Sequence, residues 1–325
     1  MGVRRAVEMA RQAAEEKNTL LENLSHGGAE AQREAFNQGA APCSGVYTLG
    51  PLIHNKRVLK DLEEQGIACI EEGDNTGSFA PSRFRVSLIP SNSTVIIRAH
   101  GVSPAVETEL RRQGLRILDA TCPHVKESQK KAQYFSEKGY RVFLAGEKDH
   151  AEINGIRGCV TDCFVVANPQ EAEEAAAALY RQEPAAKTAL IGQTTIAPEE
   201  YRVIGEMIKQ VFPKLEIANT ICSATADRQE ALRELCSQVD AVIIAGSMES
   251  ANTRRLLSLA GELGKPAWLA ETAGGLPSEI WNYETVGLSA GASAPDELID
   301  EIEQALSAVF PENIVTFSAE DTFKL

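Results

Sequence analysis

Short apolar runs alternate with amphipathic segments along most of the chain. The runs have the length and β-branched content typical of buried strands, and they lie at residues 94–97, 141–144, 189–191, 241–244 and 285–288. Between them, residues 126–138, 200–211 and 227–239 place apolar side chains at the helical period. Because strands and helices alternate at this spacing, the pattern predicts an α/β fold built from βαβ units with small parallel sheets.

Several marks recur about every hundred residues. Three glycines end strand-like runs, at Gly50, Gly146 and Gly246. A polar side chain follows each glycine by four residues, at His54, His150 and Ser250. Glu152 and Asn252 lie two residues beyond the second and third of these side chains. A proline lies near the start of one helix in each repeat, at Pro104, Pro198 and Pro295. The recurrence predicts three pseudo-repeated αβα units.

Two cysteines follow the same register. Cys122 and Cys222 are 100 residues apart, and each precedes its glycine by 24 residues. The corresponding position of the first repeat is His26, inside a polar segment at residues 18–44 that we interpret as an insertion. We therefore divide the chain into units at residues 1–118, 119–216 and 217–310, followed by a C-terminal tail at residues 311–325 that lies outside the repeats and has no assigned role.

The first unit begins on a helix. Val3, Val7 and Ala10 lie on one face of a helical segment that starts at residue 1, and no strand precedes it. Since a βαβ unit is expected to begin with a strand, we expect that the chain starts just past the position of a third cysteine and that one sheet lacks a partner strand.

The recurring polar residues lie where ligands bind in parallel sheets, beyond the carboxyl ends of the strands. Cysteines from different repeats would converge there. Thiolates without a finger-like spacing suit an iron–sulfur cluster, whereas structural zinc usually takes paired ligands that this chain lacks. The histidines, hydroxyls and helix N-termini around them can bind a phosphate group. Glu152 is the only acid of this set, so it is the candidate proton donor.

The charge and the composition exclude several classes of function. The chain has 32 basic and 46 acidic residues, a formal net charge of −14, and so lacks the basic surface that nucleic-acid binding requires. No apolar run approaches the roughly 20 residues of a membrane helix, and no signal pattern opens the chain. Its 7 cysteines are expected to be reduced thiols or metal ligands. We expect a cytoplasmic protein without nucleic-acid or membrane partners.

A series of short motifs is more specific than any single residue. They are His54-Asn55, Ala99-His100-Gly101-Val102-Ser103, Asp119-Ala120-Thr121-Cys122-Pro123, His150-x-Glu152, Gln193-Thr194-Thr195, Ile221-Cys222, Ser250-x-Asn252-Thr253 and Gly291-Ala292-Ser293-Ala294-Pro295. Jointly and in this order, they make the chain resemble the 4-hydroxy-3-methylbut-2-enyl diphosphate reductase family, or LytB family, over most of residues 1–305.

The resemblance implies three αβα units around a central [4Fe–4S] cluster held by three cysteines. By matched position, Cys122 and Cys222 would be cluster ligands. Thr194 and Glu152 would form the proton relay to the substrate hydroxyl. The residues that would hold the diphosphate are His54, His100, Ser250, Asn252 and Ser293, with His150 beside them.

The reaction implied by the resemblance is the loss of the substrate's hydroxyl group as water with two electrons. It yields isopentenyl and dimethylallyl diphosphates, at the last step of the methylerythritol phosphate route to isoprenoids. Ferredoxin or flavodoxin would supply the electrons, and the chain carries no nicotinamide-binding fingerprint.

Two positions depart from the family pattern. Met1 occupies the position after the family's first cysteine, so that ligand is absent, and Ala251 replaces a common serine of the diphosphate site. With Cys122 and Cys222 alone, we expect iron to be held weakly and in substoichiometric amounts, and an upstream extension that includes a cysteine to restore the cluster. The alternative interpretation is therefore that the chain is a truncated or degenerate relative that binds a diphosphate ligand but is catalytically impaired.

A third interpretation is a zinc hydrolase that uses Glu152 as its base and histidines as its zinc ligands.

Three further cysteines are expected not to be ligands. Cys43 precedes the strand that ends at Gly50, and Cys159 and Cys163 precede the strand predicted at residues 164–167. All three therefore lie near the amino end of a strand, whereas the candidate site lies beyond the carboxyl end. The strand separates each cysteine from the site by about 3.3 Å for each of its residues.

Overall fold

A computed structural model describes residues 2–26, 45–53, 55–70, 86–309 and 314–316. Within this part of the chain there are three four-stranded sheets, and all neighbouring strands are parallel. Each sheet and the helices packed on it are called a unit below. The same part of the chain has no helix that is both long enough and apolar enough to cross a membrane.

The first unit is built on a sheet with the strand order β2-β1-β3-β4. Its strands are β1 (Val46–Leu49), β2 (Ile67–Ile70), β3 (Thr94–Ile97) and β4 (Arg116–Asp119). Its helices are α1 (Gly2–His26), α2 (Lys56–Glu64) and α3 (Pro104–Arg112). A 3₁₀ turn at Val86–Leu88 precedes β3. Helix α1 buries Ala6, Ala10 and Ala14 in the core of this unit, as its apolar face predicts.

The second unit has the order β6-β5-β7-β8. Its strands are β5 (Arg141–Ala145), β6 (Cys163–Val166), β7 (Thr188–Gly192) and β8 (Glu216–Ile217). Its helices are α4 (Pro123–Glu137), α5 (Ala151–Arg157), α6 (Pro169–Gln182) and α7 (Pro198–Val211).

The third unit has the order β10-β9-β11-β12. Its strands are β9 (Ala241–Ala245), β10 (Ala267–Ala270), β11 (Val286–Ala290) and β12 (Ile314–Thr316). Its helices are α8 (Ser223–Gln238), α9 (Ala251–Glu262) and α10 (Asp296–Ser307). Two 3₁₀ turns, Ala273–Gly275 and Ser278–Asn282, connect β10 to β11.

Each sheet is covered by helices on both faces. In β5, Phe143 and Ala145 contribute to one core, and Val142 and Leu144 contribute to the core on the opposite face. Strands β3 and β9 divide their side chains between two cores in the same way. Because both faces are buried, the strands read as continuous apolar runs instead of alternating with polar residues.

The three-fold repeat is confirmed at the level of individual hydrogen bonds. The N–H groups of Gly50, Gly146 and Gly246 donate to carbonyl oxygens at the ends of β2, β6 and β10, over 2.8, 3.0 and 3.0 Å. All three glycines have positive φ, a backbone conformation that other residues rarely adopt. The prediction that these glycines end equivalent strands was therefore correct.

The expectation that one sheet lacks a partner strand is wrong. Each of the three described sheets has four strands in an equivalent order. In the repeat pattern α4 follows β4 and α8 follows β8, so the strand equivalent to the one expected before α1 is β12. The sequence pattern did not indicate this strand, because β12 and α1 lie at opposite ends of the sequence.

Two boundaries also need correction. Residues 314–316, assigned to a tail outside the repeats, form β12, which pairs with β11 and completes the third sheet. Helix α1 continues to His26, so residues 18–26 of the expected insertion are helical, and residues 27–44 lie outside the described residues. The boundaries after residues 118 and 216 remain predictions.

Candidate active site

A buried carboxyl group lies between two loops of the second unit. Glu152, in the first turn of α5, is 1% exposed. The Thr194 backbone N–H donates to Glu152 Oε1 over 2.7 Å, and the Thr194 hydroxyl donates to Oε2 over 2.8 Å. Burial raises the pKa of Glu152 to about 7, although both hydrogen bonds from Thr194 lower it. A carboxyl group with this pKa is populated in both protonation states near neutral pH, as a general acid requires.

Two histidines from different units meet at the start of the same helix. His150 caps α5, and its Nδ1 accepts a hydrogen bond of 3.2 Å from the Glu152 backbone N–H. Nδ1 is thus an acceptor, so in the neutral ring Nε2 carries the proton. The ring of His100, which follows β3, lies edge-on to the ring of His150 with 5.1 Å between centroids. His54 lies outside the described residues, so its predicted role stays a prediction.

The loop that carries His100 is held against α5 by an amide that sequence reasoning missed. Gln129 Nε2 donates to the Val102 carbonyl oxygen over 3.0 Å. A Cβ atom added at Gly101 or at Gly155 would lie 3.0 Å from the same nitrogen, so this amide fills the space between the loop and the helix. A signal was present in the sequence, since Gln129 and Gln229 each follow a repeat cysteine by seven residues.

The two repeat cysteines occupy equivalent places. Cys122 caps the N-terminus of α4, Cys222 caps the N-terminus of α8, and both are half-buried. The Cys122 N–H donates to the Ala99 carbonyl oxygen over 2.9 Å, and the Cys222 N–H donates to the Thr194 carbonyl oxygen over 3.0 Å. Each cysteine is therefore attached to a loop that carries a candidate site residue of the preceding unit.

These thiols have the chemistry expected of cluster ligands. Sulfur is a soft ligand suited to iron–sulfur clusters. No group of three or more His, Cys, Asp or Glu side chains placed to hold a metal ion occurs among the residues that the structure describes. Cys122 and Cys222 thus fit as two ligands of a cluster, and the described residues do not provide a complete set of ligands.

The other cysteines considered from the sequence lie elsewhere. Cys159 follows α5, and Cys163 is the first residue of β6, so both lie at the end of the strand opposite to the site. Burial raises the pKa of each thiol to about 11, which keeps both protonated near neutral pH. Cys43 lies outside the described residues.

The third unit contributes a buried amide without a partner. Ser250 caps α9 and accepts a hydrogen bond of 3.4 Å from the Thr253 backbone N–H. Asn252 is 5% exposed, and neither Oδ1 nor Nδ2 has a hydrogen-bond partner among the described residues. Because buried polar groups are nearly always paired, this amide indicates a place for a polar ligand.

Ser293 follows β11 in the loop that packs on the start of α9. It is 7% exposed. A Cβ atom added at Gly291 in this loop would come within 2.1 Å of Thr253 Oγ1, so the loop and α9 approach each other closely. This contact brings the loop of Ser293 against the turn that contains Ser250 and Asn252.

The structure therefore defines a class of protein: three αβα units that carry half-buried thiols, two histidines in ring contact, an unpaired amide and a buried carboxyl group at or just beyond the ends of their strands. The family model "LytB protein" matches residues 1–307. The chain belongs to the LytB family.

Individual relatives agree with this assignment. The chain is 42% identical over 266 residues to a Treponema denticola protein named 4-hydroxy-3-methylbut-2-enyl diphosphate reductase, a match that covers 81% of this chain and 88% of the relative. It is 41% identical over 303 residues to the Treponema pallidum protein of the same name, with 85% of this chain and 79% of the relative covered.

Two solved structures share the fold. The Plasmodium falciparum reductase has a TM-score of 0.77 at 25% identity, and the match covers 97% of this chain and 87% of that one. A second reductase, described as the terminal enzyme of the non-mevalonate pathway, has a TM-score of 0.58 at 32% identity, with 95% of both chains covered. The family and the fold class read from the motifs are confirmed.

Proposed function

We propose that this chain converts 4-hydroxy-3-methylbut-2-enyl diphosphate to isopentenyl and dimethylallyl diphosphates by reductive dehydroxylation. Membership in the LytB family and the names of the relatives support this activity. The observation that carries it is the buried Glu152 carboxyl group bonded through both oxygens to Thr194, because a hydroxyl group leaves as water only when it receives a proton.

The cofactor of this family is a [4Fe–4S] cluster, which supplies electrons for the reduction when it is bound. Cys122 and Cys222 are the described residues that would hold it, as their equivalent positions at the N-termini of α4 and α8 indicate. Ferredoxin or flavodoxin as the electron donor, and a cytoplasmic location, remain predictions.

The polar residues of the family motifs fit a diphosphate. We assign its binding to His54, His100, His150, Ser250, Asn252 and Ser293. The unpaired amide of Asn252 supports this assignment most directly, because a phosphate oxygen would satisfy its Nδ2 donor. Ser250 has its oxygen engaged as an acceptor in the helix cap, so its O–H remains to donate to an anion.

The proton path follows from the geometry of the pair. When Glu152 is protonated, its O–H can donate to Thr194 Oγ1 across the same 2.8 Å, and the Thr194 O–H is then directed to the substrate oxygen. The substrate's C–O bond breaks as two electrons arrive, the oxygen leaves as water with the proton from this path, and a second proton is added at carbon. Burial keeps the Glu152 carboxyl group away from bulk water during this transfer.

Glu152→Gln tests this assignment. The amide keeps the size of the side chain but cannot deliver a proton, so we expect turnover to fall by about 10²–10⁴-fold with unchanged iron and sulfide content. Turnover is measured anaerobically with a chemical reductant, and Glu173→Gln, on the exposed face of α6, is the matched control. Near-normal turnover in Glu152→Gln would refute the role of this carboxyl group.

The same preparations separate the alternative functions. Cluster-containing protein is brown, and a zinc hydrolase is colourless. Protein that is brown and binds pyrophosphate, but does not turn over with a chemical reductant, would establish the catalytically impaired binder in place of the reductase.

A further inference from the structure

The junction between the second and third units contains a connected set of polar contacts that the proposed reaction does not use. Arg254, in the first turn of α9, donates to Glu147 Oε2 over 2.5 Å and to the Met248 carbonyl oxygen over 2.6 Å. Glu147 belongs to the loop between β5 and His150, and Met248 belongs to the loop between β9 and Ser250. One guanidinium group therefore joins the two strand-end loops that lead to the candidate site residues of both units.

The loop that contains Thr194 is connected to the same set. Gln193, which is 2% exposed, accepts a hydrogen bond of 2.9 Å from the Glu147 backbone N–H through Oε1. Its Nε2 donates to Thr195 Oγ1 over 3.0 Å. The side chain of Gln193 thus bonds the hydroxyl of Thr195 and attaches the loop of Thr194 to Glu147.

A second ion pair crosses the junction. Arg255 on α9 contacts Glu200, in the first turn of α7, and their side chains are 25% and 27% exposed. By contrast, the pair between Arg202 and Glu206, which lies within α7, has side chains that are 55% and 51% exposed. The cross-unit pair is the better shielded from solvent, so its electrostatic attraction is less screened.

The two units leave a cavity of about 250 Å³ at this junction. It is lined by Glu147, Gln193, Glu200, Ala251, Arg254 and Arg255 among other residues. The residues of the Arg254–Glu147 and Arg255–Glu200 contacts all line this space.

We infer that Arg254 and Arg255, with Glu147, Gln193 and Glu200, form an inter-unit clamp that sets the position of Ser250 and Asn252 relative to Glu152 and Thr194. This inference builds on the proposed function, because it assigns these arginines as positioning residues for that reaction. A substrate held by its diphosphate at α9 can present its hydroxyl group to Thr194 only if the two units keep a fixed spacing.

The guanidinium link from position 254 is not repeated at the equivalent position of the second unit. The residue of the second unit equivalent to Arg254 is Asn154, 100 positions earlier, which donates to the Asp149 carbonyl oxygen of its own unit over 3.2 Å. The arginine side chain at position 254 is longer than that of Asn154 and charged, and it reaches from the third unit to Glu147 of the second unit. The contacts of Arg254 therefore do not follow from the shared architecture of the units, although an ion pair between Arg57 and Glu301 also joins the first and third units.

Charge reversal and charge exchange test the clamp. In Arg255→Glu, two carboxylates face each other across the junction, and we expect kcat/KM and pyrophosphate affinity to fall by about 10- to 100-fold. The double variant Arg255→Glu/Glu200→Arg restores the opposite charges and is expected to recover most of both losses. Arg202→Glu is the matched control within α7, expected to stay within about twofold of the parent protein.

Hydrogen exchange supplies a measurement that does not depend on turnover. Backbone amides at residues 193–197 and 246–252 are expected to exchange faster in Arg255→Glu and to return to the original rates in the double variant. Wild-type kinetics and exchange in Arg255→Glu, or losses that the exchanged pair does not recover, would overturn the clamp. Absence of turnover in the cluster-loaded parent protein would instead refute the proposed function, and the exchange rates would still decide the clamp.

Discussion

At the scale of single residues, the site combines polar groups that are costly to bury with few partners to satisfy them. Glu152 is almost fully buried with its carboxyl group bonded to Thr194, and Asn252 is buried without any hydrogen bond among the described residues. An unpaired buried amide costs about 1–3 kcal/mol, so the folded chain maintains it at the expense of stability. A site that must bind a polar, charged substrate explains why such groups persist.

The raised pKa of Glu152 gives the reaction a pH dependence of definite sign. Only the protonated carboxyl group can donate, and its pKa is about 7, so kcat/KM is expected to decrease as the pH rises through about 7. The measurement is an anaerobic pH–rate profile from about pH 5.5 to 8.5, compared with the profile of Glu152→Gln. The residual activity of the variant should lack this decrease. A profile of the parent protein that rises across this range would show that Glu152 acts as a base.

At the scale of elements, α5 connects two units through close contacts of small residues. A Cβ atom at Gly155 would lie 3.0 Å from Gln129 Nε2, and a Cβ atom at Gly158 would lie 2.3 Å from the Ser103 Cβ atom. These contacts let α5 approach the His100 loop closely enough for the rings of His100 and His150 to meet. The contact between the two histidine rings therefore depends on the close backbone approach that Gly155 and Gly158 allow.

Gly158→Ala is expected to force α5 away from this loop. The added methyl group cannot fit at 2.3 Å, so we expect a loss of about 1–3 kcal/mol in the free energy of unfolding and weaker pyrophosphate binding. The matched control is Gly261→Ala in α9, where an added Cβ meets nothing within 4 Å. The control is expected to gain about 0.5–1 kcal/mol from the higher helix propensity of alanine. Urea unfolding measures both changes, and equal effects of the two substitutions would contradict this account.

At the scale of the whole molecule, the three units repeat one arrangement of strands, but the last strand of the third sheet is not followed by another unit. Strands β4 and β8 each lead into a cysteine and then into the first helix of the next unit. Strand β12 occupies the corresponding edge of the third sheet, so a segment late in the chain fills the place equivalent to β4 and β8. Residues 314–316 thus belong to the architecture of the third unit.

Removing this strand is expected to destabilise the third unit. A variant that ends at Val309 exposes one edge of β11, whose backbone groups lose their partners in β12. We expect a lower melting temperature and greater aggregation than in a variant that ends at Ser318, which keeps β12. Thermal unfolding with light scattering compares the two lengths. The same melting temperature for both would show that β12 contributes little to the stability of the sheet.

The sequence alone determined the class of fold, the family and the register of the repeat. Local patterns carry this information, because strands buried on both faces read as apolar runs and equivalent glycines and cysteines recur at fixed spacing. Tertiary structure decided which elements complete each sheet, as β12 shows, because strand pairing is a long-range contact that no local window contains. It also decided the pairing of Arg255 with Glu200, which are 55 positions apart in the sequence. The resemblance implied the pairing of Glu152 with Thr194, but only the tertiary structure gave its burial and its two hydrogen bonds. A residue type can indicate a carboxylate or a guanidinium group, but the burial that changes its pKa and the partner that fixes its position arise only when distant segments pack together.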